Sequence, residues 1–510
     1  MPDDTVGADA ADQAAVVRGS IWLISAGAVS RALGIVGTLI LTHLITPLAY
    51  GEVSDAVVVI YTANMLANAG VGVYVIAHPH AEPGELFHAA LLHIGLGALF
   101  IVPVLIFGPL LGPAFGAPTM GRYLPGLAIA VMAERVNMLP ERLIFRQMRF
   151  GVSSLQRAGA EVLFTLVSVA GAAAGWGGMA IVAGNVARSA CRTPLLFVLV
   201  SWREWLAPCR LRREVFARIL RFGLPISLGQ LLGFGLRRWD NLMVSHFHGA
   251  AAAGAYNLAY NLADIPAVQI GEQITDALQV SMARSRDTTP ERQLVRSLAA
   301  LAFIMTPMAV GLGAVAPTLA VSFLDRRWID VGPMLMWLSV ISFPRPLSGL
   351  GTAYMQVKHR RPMFLALDVF TVLVLLLSLA TLGRLSPVAA CIAVGATFFL
   401  RLAGTGFLLW KIDGVPLWDF FRPQIPPVIA ALIMAAVVTA VRLALGHLGA
   451  PGVVSLIAQV VIGIAAYAAA AWFVARDAFR QFSTLLRTTL GRRLRRKTRI
   501  SGPGAGAATT

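Results

Sequence analysis

Charge is scarce in this sequence. Of its 510 residues only 13% are Asp, Glu, Lys or Arg, against about a quarter in a typical soluble globular chain. Hydrophobic residues make up 57% and the mean hydropathy is +0.73, which excludes an ordinary water-soluble domain. Lysine is nearly absent, with Lys358, Lys411 and Lys497 the whole complement. None of them follows a glycine, so there is no G-x-x-x-x-G-K-[ST] loop to cradle a nucleotide's phosphates. The three cysteines, Cys191, Cys209 and Cys391, are too scattered for a disulfide framework or a metal knuckle. H-E-x-x-H and G-x-S-x-G are also missing, and His78 and His80 in AHPHAEPG read as a loop pair. No metal, no cofactor and no enzymatic activity are expected. Long hydrophilic segments are lacking too: no loop exceeds roughly twenty residues, too short for a soluble catalytic domain.

What is there is a succession of apolar windows of about 20 residues, the length that crosses a bilayer as a helix. Fourteen or so can be drawn, near 18–42, 53–77, 87–111, 120–140, 152–174, 176–200, 220–245, 253–282, 296–321, 331–356, 363–383, 387–410, 425–446 and 452–474. The expected fold is an all-α polytopic integral membrane protein: two pseudo-symmetric six-helix lobes and two extra C-terminal helices. The corresponding organisation is a tail over 1–17, an N-lobe over 18–200, a basic linker over 201–219 and a C-lobe over 220–410. Two further spans occupy 425–474, and a basic tail runs over 475–510. The opening MPDDTVGADAADQAAVV lacks the basic region and cleavage site of a signal peptide, so the first span is read as an uncleaved anchor.

The net charge of +17 could suggest nucleic acid, but most of the arginines flank apolar segments. With a cytoplasmic amino terminus, 28 basic residues fall in inner segments and five in outer loops. This alternation is the positive-inside pattern, and it places both termini in the cytoplasm. No nucleic-acid partner is expected. The linker WREWLAPCRLRREVFARI is read as lying along the inner membrane surface, and the C-terminal RTTLGRRLRRKTRI as positive-inside signal on a disordered end, with binding of anionic membrane lipid as the alternative.

Sliding the chain against itself aligns LTHLITPLAYGEVSDA with VSHFHGAAAAGAYNLA, placing His43 on His246, Ala49 on Ala252, Gly51 on Gly254 and Ala56 on Ala259. Both copies form the outer turn between the first two spans of a six-span block, as expected of parallel repeats.

Ionisable residues inside spans face protein or water and are functional candidates. Nine arginines and eight acids lie there. Arg157 and Glu161, spaced i,i+4, read as a pair within one helix. Glu134 and Arg135 read as near a membrane face, and Arg188 and Arg192 share a helix face with no acid nearby in sequence. Gln230, Arg237 and Asn241 form a polar stripe on span seven, followed by Arg238 and Asp240. Asn257, Asn261, Asp264, Glu272, Asp276 and Gln279 form another along span eight. Arg31 occupies a small and polar face of span one. In ISFPRPLSGLG, Arg345 stands between Pro344 and Pro346, where two missing amide donors should break span ten.

The run RRWDNLMVSHFHGAAAAGAYNLAYNLADIP, with Gly254, Tyr256 and Pro266, resembles spans seven and eight of bacterial polysaccharide-export flippases. The opening GSIWLISAGAVSRALGIVGTLILTHLITPLAYGEVS, with its Pro47, Tyr50 and Gly51 turn, is similar to their first span. These belong to the multidrug, oligosaccharidyl-lipid and polysaccharide exporter superfamily. The resemblance covers most of the chain in topology. It implies that undecaprenyl-pyrophosphate-linked glycan repeat units pass from the inner to the outer leaflet by alternating access. They would then serve lipopolysaccharide, capsule or exopolysaccharide synthesis beside a polymerase and chain-length machinery. On this reading a monomeric transporter uses Arg31, Arg237, Arg238 and Arg345 for the pyrophosphate. Gln230, Asn241, Asn257, Asn261 and Asp264 line the cavity, and Asp55, Asp264 and Glu272 couple an ion. The alternatives are an exporter of drugs or organic cations, a peptidoglycan-precursor flippase, and a membrane glycan ligase or polymerase.

Overall fold

The computed structural model describes residues 33–147, 149–284, 290–358, 361–474 and 476. The tail over 1–17, Arg31 and residues 477–510 lie outside them. Among the described residues every regular element is helical and no strand occurs.

By contacts the chain forms two compact units. The first comprises the described residues within 1–259, 323–334 and 368–397; the second comprises the described residues within 260–322, 335–367 and 398–510. The first six described helices are α1 (Leu33–Leu44), α2 (Pro47–Leu66), α3 (Val71–Ala77), α4 (Pro83–Ala114), α5 (Leu124–Arg146) and α6 (Phe150–Ala173). They are followed by α7 (Met179–Leu199), α8 (Arg213–Pro266), α9 (Glu272–Arg284), α10 (Pro290–Phe323), α11 (Val331–Leu338) and α12 (Pro344–Val357). The chain continues through α13 (Arg361–Ser378), α14 (Pro387–Asp413), the short α15 (Leu417–Phe421), α16 (Ile425–His447) and α17 (Gly452–Val474).

Thirteen of the 14 sequence windows fall on one of these helices or on a bent succession of them, and the described part of the first, residues 33–42, falls on α1. Among the described residues seven helical stretches are long and apolar enough to cross a membrane by length and composition alone. The pair α2 and α3, bent by 48°, makes an eighth. Helices α5, α6 and α7 fall short because they carry Glu134, Arg135, Glu141, Arg157, Glu161, Arg188 and Arg192, which line a cavity described below.

The interruptions follow local chemistry. Thr46 caps α2 by accepting the Ala49 amide at 3.3 Å, with Pro47 in the first turn, where its missing N–H costs nothing. The long α8 is broken at Gly249, whose φ of 82° and ψ of 164° suit a residue without Cβ. Pro266 is followed by a π-turn over Ala267–Gly271. The break expected at Pro344 is present, since a 3₁₀ turn over Ser339–Ser342 separates α11 from α12.

In the first unit, Ile60, Ile101, Tyr123 and Leu127 centre one apolar cluster; Tyr74, Leu139, Trp205 and Ile219 centre a second. Near α1, Trp328 Nε1 donates to the Thr42 carbonyl at 2.8 Å and Arg327 donates to the His43 carbonyl at 3.0 Å. Hydrogen bonds from the Arg327 side chain and amide hold the exposed Asp325 carboxyl below the usual carboxylate pKa. The second unit packs Leu298, Met305, Leu347 and Tyr354 in one cluster. In another, Phe303 meets α16 and α17, and Tyr467 donates to the Phe303 carbonyl at 2.8 Å.

The glycines matched by the repeat touch each other. A Cβ on Gly51 would overlap the Ala250 carbonyl oxygen and lie 2.9 Å from the Gly254 nitrogen. One on Gly254 would overlap the Pro47 carbonyl oxygen and lie 3.0 Å from the Gly51 nitrogen. Pro47 and Ala250 are themselves matched by the repeat. The contact is therefore two-fold in character: each helix sets its glycine against the carbonyl one turn earlier on the other, the close approach that small residues permit in membranes.

Candidate functional site

The first unit encloses a cavity of about 480 Å³ walled by α2 to α8. Helix α5 presents Glu134, Met138 and Glu141 to it at i, i+4 and i+7, so one face of the helix is directed inward. Helix α7 adds Arg188 and Arg192 one turn apart, and α6 adds Arg157 and Glu161. The charges pair between helices. Glu141 accepts from Arg157 Nε at 2.8 Å and from Arg192 at 3.0 Å. Arg188 donates to Glu134 at 3.3 Å and to the Asn185 side chain at 2.8 Å, and lies 3.7 Å from Glu161. Tyr61 donates to the second oxygen of Glu134 at 3.1 Å.

Two arginines of this cavity stand apart from the carboxylates. The buried Arg135 donates to the carbonyls of His93 at 2.5 Å and Asn64 at 2.7 Å, with its stem lying where a Cβ on Gly97 would be. Arg142 makes no ion pair among the described residues, and its buried Nε has no hydrogen-bond partner there. Five guanidinium groups thus meet three carboxylates, leaving an excess of two positive charges among the lining residues. Such an excess suits an anion with several acceptor oxygens, since guanidinium groups bind phosphate and carboxylate in forked pairs.

This arrangement corrects three expectations. Arg157 pairs with Glu141 on α5 rather than with Glu161 one turn away, and Glu161 approaches Arg188. Glu134 and Arg135 sit in the cavity wall, and Arg188 and Arg192 have acids that sequence distance concealed. Glu141 and Arg142 lie just past Pro140, where the sequence window of span four stops, whereas α5 runs on to Arg146 with that proline inside it. The inward spacing of 134, 138 and 141 was the available signal. Glu141→Gln should leave Arg192 without a full ionic partner and cost about 1–3 kcal/mol of stability. An unchanged melting profile in detergent would show that the charge ladder contributes nothing to the fold.

The sequence-singled residues are distributed as follows. In the first unit, Gln230 lies on the cavity rim and accepts from Asn68 at 2.6 Å. Arg237 is exposed and Arg238 half-buried, while Asn241 is fully buried with neither amide atom paired among the described residues. Asp240 is buried and accepts from Tyr256 at 2.5 Å, across the Gly249 break. Asp55 is buried as well and accepts from Ser245 at 2.5 Å. Asn257 is buried on α8.

In the second unit, Asn261 and Asp264 are half-buried. Arg345, in the first turn of α12, bonds both Asp264 and Glu272, the latter at 2.8 Å. The two carboxylates lie either side of the π-turn, and Ser342 in the 3₁₀ turn donates to the Ala263 carbonyl. Two interrupted spans are therefore joined at their irregular points by one arginine.

Helices of membrane-crossing length, broken near polar clusters, define a polytopic membrane protein of the transporter kind. Residues 40–333 match the family described as Polysaccharide biosynthesis protein, and the chain belongs to that family. It is 23% identical over 400 residues to the lipopolysaccharide biosynthesis protein WzxC of Escherichia coli (strain K12), covering 78% of each chain. It is also 23% identical over 515 residues to the succinoglycan biosynthesis transport protein ExoT of Rhizobium meliloti (strain 1021), covering 96% of this chain and 98% of that one. Among solved structures it resembles the lipid II flippase MurJ in an inward closed conformation, at a TM-score of 0.72 and 13% identity. That match covers 90% of this chain and 99% of the other. An inward-facing multidrug resistance MATE family transporter of the MOP superfamily matches at a TM-score of 0.59 and 16% identity, over 76% of this chain and 94% of that one. The fold is thus the one shared by these transporters.

Proposed function

We propose that this protein moves undecaprenyl-pyrophosphate-linked glycan repeat units from the inner to the outer leaflet of the bacterial inner membrane by alternating access. Both termini lie in the cytoplasm, and the moving bodies are the lobes over 18–200 and 220–410. The observation that carries this reading is the cationic excess in the first unit's cavity, within a chain of a polysaccharide biosynthesis family. A sugar pyrophosphate cannot enter hydrocarbon, whereas its polyprenyl tail remains there throughout. The protein must therefore supply a polar path with fixed cations for the head alone.

In this scheme Arg31, Arg237, Arg238 and Arg345 meet the pyrophosphate as the cleft changes access, and Arg135 and Arg142 supply the surplus positive charge of the first unit's cavity. Gln230, Asn241, Asn257, Asn261 and Asp264 face the sugar hydroxyls. Asp55, Asp264 and Glu272 carry the coupling ion. The surplus of arginine disfavours an organic-cation passenger, for which surplus carboxylates would be needed. The glycan delivered outside is taken up by a polymerase with its chain-length machinery.

The test is deletion in the host followed by mass spectrometry of the membrane lipids. A completed polyprenyl-pyrophosphate repeat unit should accumulate and surface glycan should fall. The intact chain should reverse both, whereas an Arg31→Ala, Arg237→Ala chain at equal abundance should reverse neither. Unchanged lipids and unchanged surface glycan would refute the proposal.

A further inference from the structure

A second charged cavity, of about 730 Å³, lies within the second unit, at the end where α10 and α16 begin and α14 and α17 finish. Four arginines line it: Arg292 and Arg296 one turn apart on α10, Arg422 before α16, and Arg476 after α17. None of the four makes an ion pair among the described residues. The acids nearby are largely committed, since Lys358 lies 2.6 Å from Glu291 and 3.4 Å from Asp413. The lining sets four arginines against Glu291, Asp413 and Asp419, and Lys358, outside the lining but paired with two of these acids, brings the local balance to five cations and three carboxylates. The rest of the wall is apolar, supplied by Val295, Pro416, Pro427 and Phe473.

Membrane helices that begin and end together place their termini at the level of the lipid headgroups. Guanidinium groups without a carboxylate partner among the described residues, beside an apolar wall at that depth, match an anionic phospholipid; Arg476 keeps one bond, from Nε to the Trp472 carbonyl at 3.3 Å. The arginine forks suit phosphodiester oxygens, and the prolines and Phe473 suit the glycerol and upper acyl carbons. We propose that this cavity is a binding site for an anionic glycerophospholipid, and that the surplus of two positive charges selects one bearing two phosphodiesters, a diphosphatidylglycerol. A zwitterionic headgroup brings its own cation against the arginines and is disfavoured. The site is separate from the cavity of the first unit and does not depend on what passes through that cavity.

The same phosphate chemistry is present in a polyprenyl pyrophosphate, so the test separates the two sources. Native mass spectrometry of the purified full chain would be run with diphosphatidylglycerol, phosphatidylcholine and undecaprenyl pyrophosphate in turn. Diphosphatidylglycerol should bind more tightly than phosphatidylcholine and should weaken as salt is raised. The Arg292→Gln, Arg296→Gln, Arg422→Gln variant should lose roughly tenfold or more in diphosphatidylglycerol affinity, since each charge-assisted contact is substantial. Its affinities for the other two lipids should be unaltered. Single Arg292→Gln and Arg422→Gln chains, each expected to lose part of the affinity, serve if the triple variant does not fold. Undiminished diphosphatidylglycerol binding in the variants would overturn the proposal. So would a loss confined to undecaprenyl pyrophosphate, which would give the cavity to the polyprenyl lipid instead.

Discussion

Arg345→Ala is expected to abolish glycan export and to destabilise the protein by about 3–5 kcal/mol, the range for removing one partner of a buried ion pair. The side chains of Arg345 and Asp264 are only 11% and 15% exposed, so deleting the guanidinium strands a carboxylate in a poorly hydrated place. Glu272, at 45% exposure, can recover water and should contribute less to the loss. Arg345→Lys keeps the charge but offers a single ammonium to two carboxylates on either side of a π-turn, and should recover part of the stability. The informative chain is Arg345→Ala combined with Asp264→Asn and Glu272→Gln. With the stranded charges neutralised, the melting temperature should return towards wild type while export stays absent. A triple variant that exports normally would make the cluster purely structural and remove Arg345 from the transport scheme.

Much of the fold is legible because a bilayer makes helix placement a local question: about 20 apolar residues suffice, whatever surrounds them. The break between α11 and α12 is equally local, since Pro344 and Pro346 delete amide donors at known places. Charge pairing is different in kind. Arg157 has an acid one helical turn away at Glu161, yet its partner Glu141 comes from another helix. Arg192 has no acid close in sequence and nonetheless shares that same carboxylate. No periodicity encodes which helix faces which, so the cavity's ladder could not be read from spacing. Residues on span eight show the intermediate case. Their polar stripe is visible in the sequence, but that Asp264 and Glu272 share Arg345 depends on where α12 packs.

Gly254→Val should have an effect as large as the loss of Arg345, through a wholly apolar route. The repeat match between Gly51 and Gly254 marks two positions where backbones meet without side chains between them. At Gly254 a Cβ would overlap the Pro47 carbonyl oxygen and also lie within 3.0 Å of the Gly51 nitrogen and of the Pro47 carbonyl carbon. These are backbone atoms held by the start of α2, where Thr46 caps and Pro47 fixes φ, so they cannot swing aside as a side-chain end would. Relief requires the helices to separate. That movement would disturb Asp55, whose carboxylate is held by Ser245 at 2.5 Å one turn beyond Gly51. Overpacking in a core typically costs about 1–3 kcal/mol and more where backbone must move, so Gly254→Val should fold poorly and export little. Gly249→Ala is the appropriate contrast. Its Cβ would meet nothing within 4 Å, and the substitution should cost only the backbone strain of φ 82° and ψ 164°, about 1–3 kcal/mol, with no helix displaced. Melting of the two variants in detergent, followed by size-exclusion profile, ranks them. A Gly254→Val chain as stable as Gly249→Ala would mean that the two helices do not need this contact to pack.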